Sequence, residues 1–289
     1  MNGAFALVRP LPDLAPFPER LADLAVEALL DEARLTPKPG LVDGRGAGAH
    51  HDLSLALMCR SAYALRPAFI AMAACAHDQP VSIALREQLG AIGRQAETAM
   101  MQTTHGINTH RGAIWAMGLL VAATAMAQHD REPLAVVARA GALARIEDRH
   151  QPRQESNGSR VCQHYGVPGA RGEAQANFPH VIGLGLPTLR CFRNAGGHEM
   201  TARVNALLAI MSRLPDTCVL SRGGKDALRA AQNGALAVLD AGGIGTLSGR
   251  RALRNLETHL LAHNASPGGA ADLLAAMLFL DQIDQQLII

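Results

Sequence analysis

Helical periodicity is the feature of this sequence that most constrains its fold. Apolar residues recur at three- and four-residue spacing, as in Leu21, Leu24, Ala25 and Ala28, and no stretch sustains the period-two alternation of a half-buried strand. Aromatic residues make up only 3% of the chain, so the core must consist of Ala, Leu, Ile, Val and Met, which favour packed helices over sheets. The sequence therefore predicts an all-α protein of roughly ten helices without a sheet.

The predicted helices cover most of the chain beyond an irregular arm at residues 1–16. Their approximate ranges are 20–35, 52–76 with a break near Pro67, 81–103, 109–128, 132–147, 171–190, 198–213, 225–241, 246–262 and 267–285. The polar stretch 149–168 carries Pro and Gly and lacks periodicity, which predicts a mobile loop. Because the helices on either side of that loop show no separate core, we expect one compact domain over residues 1–289.

Composition and charge exclude several classes of function. The formal net charge is only +2, Lys/Arg runs are short and aromatic stacking platforms are scarce, so we expect no nucleic-acid partner. The longest apolar run, 113–127, is shorter than the roughly 20 residues of a membrane span, and the N-terminus does not resemble a signal peptide. Five cysteines without a CxxC pair are typical of a reducing compartment. We therefore expect a cytoplasmic protein.

Six polar segments that contain Gly or Pro interrupt the helices, and most lie at a helix start or end. They are TPKPGLVD (36–43), GAHHD (48–52), GINTHRGA (106–113), GARGEA (169–174), LSRGGKD (220–226) and SPGGAADL (266–273). Glycine-rich helix starts present free N–H groups and the positive end of the helix dipole, which together bind anions. Each segment taken alone is also explained as an ordinary turn or helix cap.

Cations and carboxylates gather in these segments. The cations are Lys38, Arg111, Arg222 and Lys225, and the carboxylates are Asp43, Asp52, Glu173 and Asp272. Arg111 lies in the first turn of a predicted helix, where a cation is locally unfavourable unless an anion binds there. The whole set predicts a polyphosphate held together with Mg²⁺, which prefers carboxylate, water and phosphate oxygens.

The segments TPKPGLVD, GAHHD, NTHRGAIW, GARGEA, DTCVLSRGG and SPGGAADLLA, read in order, resemble the triphosphoribosyl-dephospho-CoA synthase family. Members of that family serve malonate decarboxylase and citrate lyase. The resemblance extends from about residue 27 to residue 280, and it favours the malonate decarboxylase branch. Two positions are unusual for the family, because Leu53 stands where Met is expected and Ser221 where His is common. A nucleotide contact made by that histidine in relatives would be lost at Ser221.

The resemblance implies an all-helical, Mg²⁺-dependent enzyme with ATP and 3'-dephospho-CoA as substrates. The 2'-hydroxyl of dephospho-CoA attacks the ribose C1' of ATP, and adenine leaves. The product is a prosthetic-group precursor, which a separate acyl-carrier-protein transferase attaches to its carrier subunit. The resemblance leaves the oligomeric state open, a homodimer included.

Displacement at an anomeric carbon requires a base for the attacking hydroxyl and an acid for the leaving group. We expect Asp43 or Asp52 to be the base and His50 or His110 to be the acid. Glu173 and Asp272 are the expected Mg²⁺ ligands. The expected substrate-binding residues are Lys38, Asn108, Arg111, Arg222, Gly223, Gly224, Ser266, Gly268 and Gly269. Closure of the 149–168 loop would exclude water from the triphosphate.

Two other functions fit the same residues. A helical, Mg²⁺-dependent hydrolase of an ADP-ribose-like or nucleotide substrate would use these carboxylates to deliver water to the ribose. A non-catalytic helical protein would bind nucleotide without turnover and would tolerate substitution of Asp43 and Asp52. Adenine release that depends on dephospho-CoA distinguishes the transferase from both.

Overall fold

The computed structural model describes residues 16–151 and 156–286, and in these ranges it contains helices and no sheet. The helices are α1 (Phe17–Arg34), α2 (Leu55–Ala64), α3 (Arg66–Ala76), α4 (Ile83–Thr103), α5 (Arg111–Ala125), α6 (Pro133–Arg145), α7 (Asn157–Tyr165), α8 (Gly169–Gln175), α9 (Leu186–Asn194), α10 (Glu199–Met211), α11 (Thr217–Asp240), α12 (Leu247–Ala262) and α13 (Gly268–Gln286). A π-helical turn, Val181–Gly185, directly precedes α9. The predicted all-α fold is confirmed, whereas the predicted arm at 1–16 lies almost wholly outside the described residues.

Helix α5 lies at the centre of the molecule. It is buried along nearly its whole length and packs against α1, α3, α4, α6, α8 and α13. Its small residues allow this close packing, since a Cβ at Gly118 would meet the Met72 sulfur. The apolar run 113–127 is therefore a core helix, as predicted. No helix in the described ranges is both long and apolar enough to cross a bilayer.

Several predicted helix boundaries differ from the structure. The predicted helix 52–76 is two helices, α2 and α3, and the second carries Pro67 in its first turn, where proline is tolerated. Ser54 caps α2 by accepting a hydrogen bond from the Leu57 N–H, so this helix begins after Ser54 and Asp52 lies in the preceding bend. The predicted helix 171–190 is broken after α8, because Asn177 and Phe178 adopt positive φ angles of 64° and 55°.

Two polar segments also contain helix that the sequence pattern did not predict. Residues 157–165 form α7, so the prediction of an irregular loop from 149 to 168 is wrong for that part, and 152–155 lie outside the described residues. Helix α11 begins at Thr217 rather than near residue 225. It is interrupted at Gly224, whose φ of 64° and ψ of −161° suit glycine alone.

Candidate active site

The N-termini of α11 and α13 meet at the carboxylate of Asp216. Its Oδ1 accepts hydrogen bonds from the N–H groups of Cys218 (2.8 Å) and Val219 (3.3 Å), and its Oδ2 accepts one from Ala270 (2.9 Å). A Cβ at Gly269 would lie only 3.1 Å from this carboxylate, which explains a glycine in the first turn of α13. Burial raises the pKa of Asp216, while these N–H donors act in the opposite direction. One side chain thus caps two helices.

Asp272 joins the first turn of α13 to the start of α5. Its carboxylate accepts a hydrogen bond from the Ala113 N–H, and a Cβ at Gly112 would overlap it. Burial raises the pKa of Asp272 well above its usual range, and the negative charges of Glu32 and Asp216 raise it further. The starts of α5, α11 and α13 therefore converge on two neighbouring carboxylates.

Lys38 is buried, with only 1% of its surface exposed, and is paired with Glu32, whose charge acts on Asp272. Its Nζ donates to the Glu32 carbonyl at 2.6 Å and forms an ion pair with the Glu32 carboxylate at 2.5 Å. A buried lysine requires such a partner because an isolated charge in the interior is costly. The charge of Lys38 is therefore already compensated by a carboxylate of the protein.

Asp43 holds its own loop together. Its Oδ2 accepts a hydrogen bond from the Lys38 backbone N–H at 2.8 Å, and both its oxygens bind the Arg45 guanidinium. Arg45 in turn makes a two-pronged ion pair with Glu257 on α12. Burial raises the pKa of Asp43, but the bonds from Arg45 and Lys38 outweigh it and keep the pKa below its usual value. The geometry is that of a structural carboxylate.

His50, Arg222 and Ser266 form a hydrogen-bonded chain across three segments that are far apart in sequence. Arg222 donates to the Ala49 carbonyl and to His50 Nδ1, both at 3.0 Å, and His50 Nε2 lies 2.9 Å from Ser266 Oγ. A guanidinium can only donate, so Nδ1 is the acceptor and the neutral ring carries its proton on Nε2. Burial and the charge of Arg222 lower the pKa of His50, although Asp52 opposes them. His50 is thus neutral at pH 7.

His110 is the second histidine beside this site, and it is 2% exposed. Its Nδ1 lies 2.9 Å from Ser61 Oγ, and its Nε2 has no hydrogen-bond partner in the part of the chain that the structure describes. Burial, with a smaller contribution from Lys38, lowers the pKa of His110 to about 4. A neutral ring with one unpaired nitrogen is available to bind a polar ligand atom.

Cys218 lies among these groups and has a mixed environment. Its surface is exposed to solvent, yet desolvation raises the pKa of its thiol well above the usual value, with further contributions from Asp216 and Asp272. Solvent contact combined with dense surrounding protein is typical of a concave surface. The charge of Arg222 also acts on Cys218. We call the surface formed by Cys218, Arg222 and Asp272 the central recess.

Comparison with known proteins identifies the family. The family described as CitG, ATP:dephospho-CoA triphosphoribosyl transferase, matches residues 18–288, and this range contains every residue of the central recess. The chain belongs to this family. It is therefore an enzyme, and all six polar segments of the sequence lie within the range that the family matches.

Similar proteins carry the corresponding name over nearly their whole length. A probable 2-(5''-triphosphoribosyl)-3'-dephosphocoenzyme-A synthase of Pseudomonas fluorescens is 59% identical over 97% of this chain and 96% of its own length. A probable synthase of the same name from Azotobacter vinelandii is 57% identical over 98% and 97%. The synthase of Klebsiella pneumoniae is 54% identical over 91% and 94%. No solved structure matches the chain.

Within this family member, most of the predicted site residues come together. The residues that lie in or beside the central recess are Lys38, His50, Asp52, His110, Arg222, Ser266, Gly268, Gly269 and Asp272. Asn108 accepts a hydrogen bond from the Arg111 N–H at 3.2 Å just before α5 begins. The Arg111 side chain is paired with Glu97 at 3.1 Å. An anion is therefore not needed to compensate the charge of Arg111.

Three other predicted site residues, Glu173, Gly223 and Gly224, are explained by contacts or backbone geometry within the protein. Both oxygens of Glu173 bind His180, one through the backbone N–H at 3.0 Å and one through Nδ1 at 2.6 Å. A Cβ at Gly223 would meet the side chain of Ala227 and the carbonyl of His263, and Gly224 interrupts α11. Among the described residues, no group of three or more His, Cys, Asp or Glu side chains is arranged to hold a metal ion.

Sequence reasoning missed two central carboxylates, Glu32 and Asp216. Glu32 lies in α1 with only helical neighbours in sequence, so nothing marked it as the partner of Lys38. Asp216 stands before Thr-Cys-Val, the position of an N-cap, but its second role in α13 depends on a contact across 54 residues. At Gly269 the group that lies close to the backbone is the Asp216 carboxylate, 3.1 Å from where a Cβ would be.

Proposed function

We propose that this enzyme transfers the triphosphoribosyl group of ATP to the 2'-hydroxyl of 3'-dephospho-CoA and releases adenine. The observation that carries the proposal is the hydrogen-bonded chain Arg222–His50–Ser266, which brings three of the family's motifs into one recess. The names of the similar proteins describe the same product.

Arg222 is the best-placed cation for the triphosphate of ATP. Its guanidinium binds a carbonyl oxygen and a neutral histidine, and no carboxylate of residues 16–151 or 156–284 lies at hydrogen-bond distance to compensate its charge. Lys38 and Arg111 are each paired with a glutamate, which weakens their assignment to the triphosphate. Lys225 is exposed one residue beyond the Gly224 break and is a further cation that could contact a phosphate. Charge-assisted contacts to phosphate oxygens are the strong hydrogen bonds of such a site.

Asp52 is the better candidate for the base that accepts the proton of the attacking hydroxyl. It is 61% exposed and lies 3.7 Å from His50, beside the recess, whereas Asp43 would have to break its bonds to Arg45 first. His50 and His110 are both neutral at pH 7, so neither is a ready proton donor. The unpaired Nε2 of His110 instead suits a hydrogen bond that orients the adenine ring.

Asp272 fits Mg²⁺, whereas Glu173 does not. The negative charges of Glu32 and Asp216 disfavour a charge on Asp272, and a cation bound at Asp272 would relieve that repulsion. Mg²⁺ commonly takes one or two carboxylates together with substrate phosphates and waters. Both oxygens of Glu173 are already occupied by His180. When bound, Mg²⁺ would neutralise negative charge on the triphosphate.

The test is an assay of the purified protein with ATP, Mg²⁺ and dephospho-CoA. We expect stoichiometric adenine and triphosphoribosyl-dephospho-CoA by mass spectrometry, and no adenine when dephospho-CoA is omitted. Asp52→Ala should abolish adenine release, whereas Asp226→Ala, a change at an 86% exposed aspartate near Arg222, should leave it unchanged. Adenine or ribose phosphate formed from ATP alone would instead indicate a hydrolase. Near-normal turnover by Asp52→Ala would refute its role as base.

We further propose that the product serves malonate decarboxylase rather than citrate lyase. A separate transferase would attach it to the acyl-carrier-protein subunit in the cytoplasm. Deleting the gene should leave the malonate decarboxylase carrier without its prosthetic group, which mass spectrometry of the carrier detects. An unmodified citrate lyase carrier instead would contradict this branch. Light scattering on the purified protein would decide whether it forms a homodimer.

A further inference from the structure

A second group of charged residues lies outside the central recess. Arg86 and Arg94 on α4 and Arg171 on α8 form what we call the arginine cluster. Arg86 is only 6% exposed, and its guanidinium carbon lies 5.1 Å from the centre of the Trp115 ring on α5. The Trp115 Nε1 donates to the Ala170 carbonyl at 3.2 Å, which fixes the start of α8 against the same ring.

The arginine cluster contains more positive charge than the protein compensates. Asp148 is the only carboxylate in the described part of the chain that acts on the charge of Arg86. Asp148 binds Arg94 at 2.6 Å and forms only a longer ion pair with the Arg86 Nη1, at 3.8 Å and beyond hydrogen-bond distance, so one carboxylate serves two guanidinium groups. The neighbouring Glu87 is occupied by Arg149.

Arg86 consequently remains without a full set of partners. Its Nε is buried and makes no hydrogen bond in the described part of the chain. Burial lowers the pKa of Arg86, and repulsion from Arg171 and Arg94 lowers it further, although Asp148 opposes both. Burying an arginine with an unsatisfied donor next to two like charges is costly, and an anion would relieve both costs.

The arginine cluster is adjacent to the central recess. Trp115 follows Gly112 by three residues on α5, so the two lie on the same side of the helix with a rise of about 4.5 Å between them. Gly112 is the residue against which the Asp272 carboxylate packs. An extended substrate in the recess can therefore reach the cluster.

We propose that the arginine cluster and Trp115 form a second phosphate subsite, which binds the phosphate chain of a nucleotide substrate. This proposal extends the proposed function, because a reaction of ATP with dephospho-CoA has to hold two phosphate chains at once. Guanidinium groups bind phosphate oxygens through paired hydrogen bonds. Because Lys38 and Arg111 are already paired with glutamates, a second phosphate chain needs other cations, and the arginine cluster provides them.

Trp115 provides a direct probe, since it is the single tryptophan of the chain. Inorganic pyrophosphate, titrated at constant ionic strength, should change the tryptophan fluorescence with saturation. Arg171→Gln should weaken this binding about tenfold or more, as expected for loss of a charge-assisted contact. Arg171 is exposed, so the change should not disturb folding. Arg190→Gln, at an exposed arginine paired with Asp284 on the surface, is the matched control and should bind as the wild type does.

Steady-state kinetics of Arg171→Gln then identify which phosphate chain the subsite holds. A higher KM for ATP alone assigns the triphosphate, and a higher KM for dephospho-CoA alone assigns the diphosphate. An unsaturable titration, equal pyrophosphate affinity in Arg171→Gln and wild type, or unchanged KM values for both substrates would overturn the proposal. The two proposals can fail independently. If the proposed function is wrong, the wild type releases no adenine, whereas the fluorescence titration with pyrophosphate still reports whether the arginine cluster binds phosphate.

Discussion

Removal of the Asp216 carboxylate should destabilise the protein more than removal of an ordinary helix cap. Asp216 accepts hydrogen bonds from the starts of both α11 and α13 while only 4% exposed. Loss of one cap costs about 1 kcal/mol, and a buried N–H left without a partner costs about 1–3 kcal/mol. Because Asp216→Ala loses two caps and leaves buried donors unpaired, we expect a loss of about 2–4 kcal/mol in the free energy of unfolding.

Urea denaturation followed by circular dichroism measures this loss. The matched control is Ser82→Ala, which removes a single cap on α4, where Ser82 accepts one hydrogen bond from the Leu85 N–H at 3.2 Å. We expect this control to cost about 1 kcal/mol. Relief of repulsion on Asp272 would reduce the cost of Asp216→Ala without cancelling it. A loss no larger than that of Ser82→Ala would refute the view that one carboxylate joins the two helix starts.

Three further predictions follow from contacts at or near the site. Arg222→Gln should raise the KM for ATP about tenfold in the adenine-release assay, and an unchanged KM would contradict its role. The hydrogen bond to Glu173 raises the pKa of His180 above 6.5, so the stability from this pair is complete below pH 6.5 and is lost as the pH rises through the folded-state pKa. The difference in unfolding free energy between wild type and Glu173→Gln should therefore shrink as the pH rises through that pKa. A difference that stays constant from pH 6 to 9 would contradict this pairing. ATP with Mg²⁺ should slow maleimide modification of Cys218 but not of the exposed Cys191, as followed by peptide mass spectrometry, whereas equal rates with and without ATP would place the nucleotide elsewhere.

The helical pattern predicted the fold well because it records which faces are buried. The apolar run of α5 predicted a core helix, and the convergence of separate polar segments was correctly expected for His50, Arg222 and Ser266. Helix α7 was missed because it is short and polar, with a single buried residue, Val161, so it carries almost no apolar periodicity.

The individual roles of the charged residues were harder to predict, since a sequence does not show which charges compensate one another. Asp43 looks like a free carboxylate until Arg45 and the backbone of Lys38 are seen to hold it. Glu173 looks like a metal ligand until His180 takes both of its oxygens. These pairings depend on loop geometry, and periodicity carries no information about loops.

The most direct test of the central claim is a crystal structure of the enzyme with ATP and Mg²⁺ in the absence of dephospho-CoA. We expect the nucleotide in the central recess, with phosphate oxygens in contact with Arg222 and the metal ion bound by Asp272. A nucleotide bound on another face of the molecule, with Arg222 still bound only to Ala49 and His50, would refute the assignment of the central recess as the active site.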